Sequence, residues 1–197
     1  MREMTYTHIT ASRERCAPAV RQEMKNRTDN LVLIGMPGAG KSTVGVILAK
    51  RTMRAFVDTD VLIQTSQGRT LQEIVDTEGY LVLRKIEEDV LRGLRVHNHV
   101  IATGGSAVYS ETAMAHLKSN GVAIFLDADL TTIASRIKDF GTRGLAKRHD
   151  QDLADLFRER GGLYRKYADI TIPCGDRDQE AVCASIIEEL GRMSSRA

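Results

Sequence analysis

The sequence predicts an α/β fold in which a parallel sheet is covered by helices on both faces. Short, continuously apolar segments alternate along the chain with longer segments whose apolar residues recur at helical spacing. Strands that are buried on both faces of a parallel sheet are apolar throughout, and helices must connect them. The length of 197 residues and the hydrophobic content of 42% suit one such domain.

Each element is predicted from its own local signals. The strands are short apolar runs at residues 31–34, 55–58, 100–103, 122–126 and 169–173. The helices are predicted from apolar periodicity and terminal signals over residues 41–52, 61–67, 70–77, 80–96, 111–120, 130–140, 153–167 and 179–192. Thr70 and Glu73 have the spacing of a capping box, and Gly68 and Gly121 are stop signals.

Residues 1–30 are predicted to form a weakly structured N-terminal extension, and residues 31–197 the folded domain. The extension is polar and mixed in charge, and its interspersed acidic residues are atypical of the alternative, an Arg-rich targeting peptide. No apolar run approaches the length that crosses a bilayer, so we expect a cytoplasmic protein without a membrane partner. The net charge of +2 gives no support for nucleic-acid binding, and three cysteines without a C-x-x-C spacing favour a reduced compartment.

A phosphate-binding loop is predicted where the first strand ends, at residues 35–43, which read GMPGAGKST. Its glycines permit backbone conformations that turn N–H groups inward, and the following helix adds the positive end of its dipole. Lys41 is placed to reach the β- and γ-phosphates, and the Ser42 hydroxyl to ligate Mg²⁺. The loop residues predicted to bind ATP are Gly38, Ala39, Gly40, Lys41, Ser42 and Thr43. An ordinary glycine-rich turn before a helix is the alternative.

Two aspartates stand at the end of the second strand. Asp58 and Asp60 are two residues apart, at the edge of the sheet where ligands of such folds bind. Phosphoryl transfer to a hydroxyl needs a carboxylate that accepts or orients the proton, and acidic help in holding Mg²⁺. We expect one aspartate in each role. The alternative is a polar turn in which one aspartate caps the next helix.

The order of four motifs resembles that of shikimate kinases: GMPGAGKSTVG at residues 35–45, FVDTD at 56–60, GYLVLRKIE at 79–87 and ATGGSAV at 102–108. The resemblance covers nearly all of the chain outside its N-terminal extension. It implies a three-layer P-loop nucleoside-triphosphate kinase fold, with a five-stranded parallel sheet in the order 2-3-1-4-5 and a lid at about residues 140–150. It also implies ATP-dependent phosphorylation of the 3-hydroxyl of shikimate to 3-phosphoshikimate, for chorismate and aromatic amino-acid biosynthesis. A monomer that uses Mg²⁺ is the expected form.

The resemblance also implies roles for individual residues. Asp60 contacts the ring hydroxyls and acts as base or orienter, and Asp58 helps Ser42 to hold Mg²⁺. The acceptor-binding residues are Asp60, Arg84, Gly104, Gly105 and Arg160, with Glu87 bracing the site. Arg136 lies against adenine and Arg143 covers the phosphates from the lid, so that the catalytic residues are Lys41, Asp60 and Arg143. Two guanidinium groups suit a carboxylate, although an exposed i, i+3 ion pair is the alternative for Arg84 and Glu87.

The chain departs from the family pattern in three motifs. Ser106 stands where the family has a third glycine, RGLA at residues 143–146 replaces Arg-Pro-Leu-Leu, and Gly162 replaces a proline. Loss of the lid proline predicts a more flexible segment. Ser106 and the altered lid favour an alternative function, a related kinase that acts on another hydroxy acid or on a sugar acid such as gluconate. A nucleotide-binding module without turnover is the third hypothesis. It is disfavoured because none of the three departures removes a residue that the proposed chemistry needs.

Overall fold

The computed structural model describes residues 29–137, 144–148 and 150–195. The strands are β1 (Asn30–Ile34), β2 (Ala55–Asp58), β3 (His99–Ala102), β4 (Gly121–Asp127) and β5 (Ile170–Pro173). The helices are α1 (Lys41–Thr52), α2 (Thr59–Gln67), α3 (Leu71–Glu78), α4 (Tyr80–Gly93), α5 (Glu111–Ser119), α6 (Leu130–Arg136), α7 (Leu153–Tyr167) and α8 (Gln179–Ser194), with a 3-10 turn at Ala107–Tyr109. The predicted N-terminal extension up to residue 28 lies outside the described residues.

The five strands form one parallel sheet in the order β2-β3-β1-β4-β5, which confirms the fold that the sequence predicted. The central strand β1 is buried along its whole length. Its neighbours are β3 on one side and β4 on the other. The strands β2 and β3 are thus added on one side of β1, and β4 and β5 on the opposite side. A crevice forms outside the carboxyl ends of the strands where the order reverses in this way. The fold therefore places its ligand site at the end of β1.

Local capping explains where the helices near this crevice begin. The Asp58 side chain accepts a hydrogen bond from the Asp60 N–H, so α2 begins at Thr59, two residues earlier than predicted. The predicted capping box of Thr70 and Glu73 is present at the start of α3. Helix α4 ends at Gly93 rather than at residue 96, because Leu94 has an extended backbone. Helix α6 ends at Arg136, before the predicted residue 140, because Ile137 has a non-helical backbone; residues 138–140 lie outside the described residues.

Two groups of buried apolar side chains hold these layers together. The larger group lies between the sheet and its flanking helices and includes every residue of the apolar run from Leu31 to Ile34. The smaller group joins α2, α3 and α4 to the segment 144–148 through Ile63, Ile74, Leu83 and Ala146. The segment 144–148 thus packs over α2 to α4. Across the described residues, we find no helix with the length and apolar character needed to cross a membrane.

Gly144 shows why a glycine replaces proline in this segment. Its φ is +58°, and its N–H donates a hydrogen bond of 2.6 Å to the Gln72 side-chain oxygen. Proline has no N–H and its φ is fixed near −65°. The sequence predicted greater flexibility from the lost proline. The structure adds that proline could neither adopt this positive φ nor donate this hydrogen bond.

Candidate active site

The phosphate loop begins the site at the carboxyl end of β1. Gly40 caps α1 with a left-handed backbone, φ +95°, which a glycine adopts without strain. The Lys41 ammonium is buried and donates hydrogen bonds to the carbonyls of Gly35 (2.8 Å) and Met36 (2.9 Å). Burial lowers the pKa of Lys41 to about 8, and the nearby carboxylate of Asp60 partly offsets this effect. The ammonium therefore lies within the loop that is predicted to hold the phosphates.

Asp58 and Asp60 separate into two environments despite their spacing. The Ser42 hydroxyl donates a hydrogen bond of 2.6 Å to one oxygen of Asp58, and the other oxygen caps α2. The helix-cap interpretation of Asp58 is therefore confirmed, and the same carboxylate also contacts the phosphate loop through Ser42. Burial raises the pKa of Asp60, an effect that the Lys41 charge opposes and the Asp58 charge reinforces. The hard oxygen atoms of Ser42 and Asp58 are the kind of ligand that Mg²⁺ prefers.

The Gly104–Gly105 turn after β3 closes one wall of the site. A Cβ on Gly104 would overlap the Glu87 Oε1 atom and would lie 2.7 Å from the Asp60 Oδ1 atom. A Cβ on Gly105 would lie 2.8 Å from the Arg160 Nη1 atom. The turn is held by a hydrogen bond of 2.7 Å from the Tyr164 hydroxyl to the Gly105 carbonyl. A side chain at Gly104 or Gly105 would therefore force the two carboxylates, or the guanidinium and the Pro37 ring, to shift.

Arg84 and Arg160 converge on a single backbone oxygen. The Nη2 atom of Arg160 lies 2.8 Å, and that of Arg84 3.1 Å, from the Ala146 carbonyl oxygen. Arg160 is only 1% exposed, and the Arg84 guanidinium stacks 3.6 Å above the Tyr109 ring. The predicted pair of guanidinium groups is thus brought together, at a carbonyl contributed by the segment 144–148.

Glu87 is buried at the same end of the site, with 3% of its surface exposed. The Ser106 hydroxyl donates a hydrogen bond to its Oε2 atom, whereas its Oε1 atom is buried without a hydrogen-bond partner. Burial raises the pKa of Glu87 to about 7, and the Ser106 bond acts in the opposite direction. The alternative of an exposed ion pair on a helix face is therefore wrong for Glu87.

One cavity of about 490 Å³ connects these groups. The phosphate loop and Arg136 line one end, where the Arg136 guanidinium lies 3.5 Å from the Gly38 carbonyl oxygen. The lining residues that the sequence predicted are Gly38, Gly40, Lys41, Ser42, Thr43, Asp60, Gly104, Gly105, Arg136 and Arg160. Ala39 and Asp58 flank this lining, and Arg84 lines a smaller adjacent cavity. Arg143 lies outside the described residues.

Sequence reasoning missed several residues of the site. Ala146 was named only as part of the lid motif, and its contact with two arginines uses a carbonyl, which no side-chain pattern identifies. Tyr109 stacks under Arg84 and its hydroxyl lies 3.5 Å from the Nε atom of Arg160, but it carries no motif. Gln179, at the start of α8, lines the cavity. Among the described residues, no cluster of three histidine, cysteine, aspartate or glutamate side chains could hold a metal ion.

Comparisons with known proteins agree with this geometry. A family model described as shikimate kinase matches residues 37–191. The shikimate kinase of Nitrosospira multiformis is 36% identical over 192 residues, which cover 94% of this chain and 98% of the relative. The solved structure of shikimate kinase from Acinetobacter baumannii in complex with shikimate has a TM-score of 0.78 and 30% identity, and the match covers 86% of this chain and 96% of that one. The structure of shikimate kinase from Aquifex aeolicus has a TM-score of 0.71 and 34% identity, covering 82% and 96%.

Proposed function

The chain belongs to the shikimate kinase family, and we propose that its main cavity transfers the γ-phosphoryl group of ATP to the 3-hydroxyl of shikimate. The observation that carries this proposal is the shared cavity itself. Asp60 can accept a hydrogen bond from a hydroxyl, and Arg160 can bind a carboxylate. Both residues line the same 490 Å³ space as Lys41 of the phosphate loop. The products are 3-phosphoshikimate and ADP.

The phosphate-loop end binds the nucleotide. The backbone N–H groups of the loop and the N-terminus of α1 hold the phosphates. The Lys41 ammonium exchanges its loop carbonyls for phosphate oxygens, which are stronger acceptors because they are charged. Ser42 and Asp58 hold Mg²⁺, which when bound offsets the charge of the β- and γ-phosphates. Arg136 at the outer edge stacks on the adenine ring.

The carboxylate of Asp60 orients the attacking hydroxyl. It accepts a hydrogen bond from the 3-hydroxyl, the hydroxyl oxygen forms the new bond to the γ-phosphorus, and the bond to ADP breaks. The hydroxyl proton passes to Asp60, whose raised pKa makes it a better proton acceptor than an ordinary aspartate. Gly104 leaves room for Asp60 beside the substrate, because a side chain on Gly104 would displace the Asp60 carboxylate.

Arg160 and Arg84 bind the carboxylate of the acceptor. Their Nη2 atoms already share one oxygen, the Ala146 carbonyl, in the arrangement that a carboxylate oxygen would take. A substrate carboxylate carries a full charge and replaces this neutral carbonyl. The segment 144–148 therefore shifts when the acceptor binds. When the segment then closes over the bound acceptor, it excludes water from the phosphoryl group.

The proposal is tested by incubating the purified full chain with ATP, Mg²⁺ and shikimate and identifying phosphorylated product by mass spectrometry. We expect 3-phosphoshikimate in equal amount to ADP. A panel that includes gluconate tests the second candidate, a kinase of another hydroxy acid, which the Ser106 side chain at the acceptor end favours. Faster turnover of gluconate than of shikimate would refute shikimate as the acceptor.

We further propose that the enzyme acts in the cytoplasm as a monomer. The buried, unpaired thiols of Cys174 and Cys183 support a reducing compartment. The phosphate loop and Arg160 line one cavity within a single chain, so the proposed reaction requires no residue of a second subunit.

A further inference from the structure

We propose that Ser106 is a positioning residue of the acceptor site, whose hydroxyl holds one oxygen of Glu87 so that the other oxygen faces the acceptor. The inference rests on the proposed function, because the acceptor is the molecule that the main cavity phosphorylates. It gives a role to a side chain that the glycine of the family pattern lacks. A glycine at this position could not form the bond.

The contact between Ser106 and Glu87 is buried on both sides. Ser106 is 8% and Glu87 3% exposed, and the hydroxyl donates to the Oε2 atom. The other oxygen, Oε1, lies against Gly104, on the side where Asp60 also approaches. This atom has no hydrogen-bond partner in the described structure. A buried carboxylate oxygen without a donor is unfavourable. A small rotation of the Glu87 carboxylate about the Ser106 bond when the acceptor binds brings Oε1 to a hydroxyl in the main cavity, which supplies the donor.

Glu87 and Ser106 also form the wall between two cavities. Both residues line the main cavity and a second cavity of about 250 Å³, which opens beside Arg84 and Leu81. The buried Glu87 side chain therefore borders a cavity on each side. The bond from Ser106 fixes one carboxylate oxygen and so decides that the other faces Gly104 and the main cavity.

Charged and titratable groups of three helices face Glu87. They are Lys41 of α1, Asp60 of α2, and Arg160 and Tyr164 of α7, in addition to the Ser106 hydroxyl. Burial and Asp60 disfavour the ionised form of Glu87, while Ser106, Arg160 and Lys41 favour it. Removal of the Ser106 hydroxyl therefore raises the pKa of Glu87 further. A neutral, unanchored carboxyl would no longer present a fixed acceptor oxygen to the substrate.

The test compares Ser106→Ala and Ser106→Gly with the wild type, with Mg²⁺, ATP and shikimate, from about pH 5 to pH 9. We expect KM for shikimate to rise about tenfold in both variants, the scale of a hydrogen bond to a charged group, with KM for ATP unchanged. The acidic limb of kcat/KM should move upward by about one pH unit. Ser119→Ala, which removes an exposed hydroxyl at the end of α5, is the matched control and should leave these values unchanged.

A double-mutant cycle shows whether Ser106 acts through Glu87. In the Glu87→Gln background, Ser106→Ala should change KM for shikimate little further, whereas full additivity of the two effects would overturn the role of Ser106. The pKa of the Glu87 carboxyl, followed by carbon NMR, gives a readout that needs no turnover. It should rise by about one unit in Ser106→Ala, and an unchanged value would overturn the proposal. Absence of shikimate turnover by the wild type would instead refute the proposed function.

Discussion

Substitution of Gly104 by alanine tests whether the two buried carboxylates act at this turn. Gly104 is not among the residues with a positive φ, so an alanine backbone is not strained there. The added Cβ would overlap Glu87 Oε1 and would stand 2.7 Å from Asp60 Oδ1, closer than a carbon approaches an unbonded oxygen. One or both carboxylates must therefore move away from the acceptor.

The size of the effect follows from this displacement. A shift of about 1 Å in a group that orients a reacting atom costs about 100-fold in rate, so kcat/KM for shikimate should fall about 100-fold. The crowding itself should cost about 1–3 kcal/mol of unfolding free energy. ADP binding should change little, because Lys41 and Ser42 at the start of α1 are not among the nearest contacts of the added Cβ.

Steady-state kinetics with shikimate and calorimetric titration with ADP measure the two halves of the prediction. Gly191→Ala in α8 is the matched control, since no atom lies within 4 Å of its added Cβ. The control should keep full activity and gain about 0.5–1 kcal/mol in unfolding free energy. Wild-type kcat/KM in Gly104→Ala would refute the placement of Asp60 and Glu87 at the acceptor, and lost ADP binding would show a wider disruption than the structure allows.

Three further variants test single groups. Asp60→Asn should lower kcat about 100- to 10,000-fold by removing the proton acceptor, with ADP affinity by calorimetry unchanged; a fully active variant would contradict this role. Arg160→Lys loses the planar fork on the carboxylate, so KM for shikimate should rise at least about tenfold, and an unchanged KM would exclude the contact. In the wild type, folding raises the pKa of Glu87 from 4.5 to about 7. Wild-type stability therefore falls by about 3 kcal/mol from pH 4.5 to pH 7 and levels off above, and Glu87→Gln removes this pH dependence. The melting temperature of this variant relative to wild type should therefore increase over that range, and a pH-independent difference would show that Glu87 is not buried in its neutral form.

Local sequence signals were enough for the nucleotide end of the molecule. The phosphate loop, the strand before it and the helix after it are consecutive in the chain, so one short motif contains the whole arrangement. The parallel sheet followed from apolar strands that alternate with helices. The strand order needed more than these patterns, because adjacency between strands such as β1 and β4 depends on contacts between distant segments. It was predicted from the family resemblance and confirmed by the sheet.

The acceptor end was predicted only in part, for a physical reason. The sequence named Arg84 and Arg160, but the atom on which they meet is a backbone carbonyl, and every residue has one. The environment of Glu87 was also out of reach, since its helix position alone favoured an exposed ion pair while tertiary packing buried it beside Ser106.

By itself, therefore, the sequence determined the fold class and the strand–loop–helix arrangement of the phosphate loop, because both depend on residues that are neighbours along the chain. Only the tertiary structure decided which oxygen atoms are buried without partners, which guanidinium groups converge and which glycines have no room for a Cβ. Those properties depend on the few ångströms between segments that are far apart in sequence, and no local pattern specifies such distances.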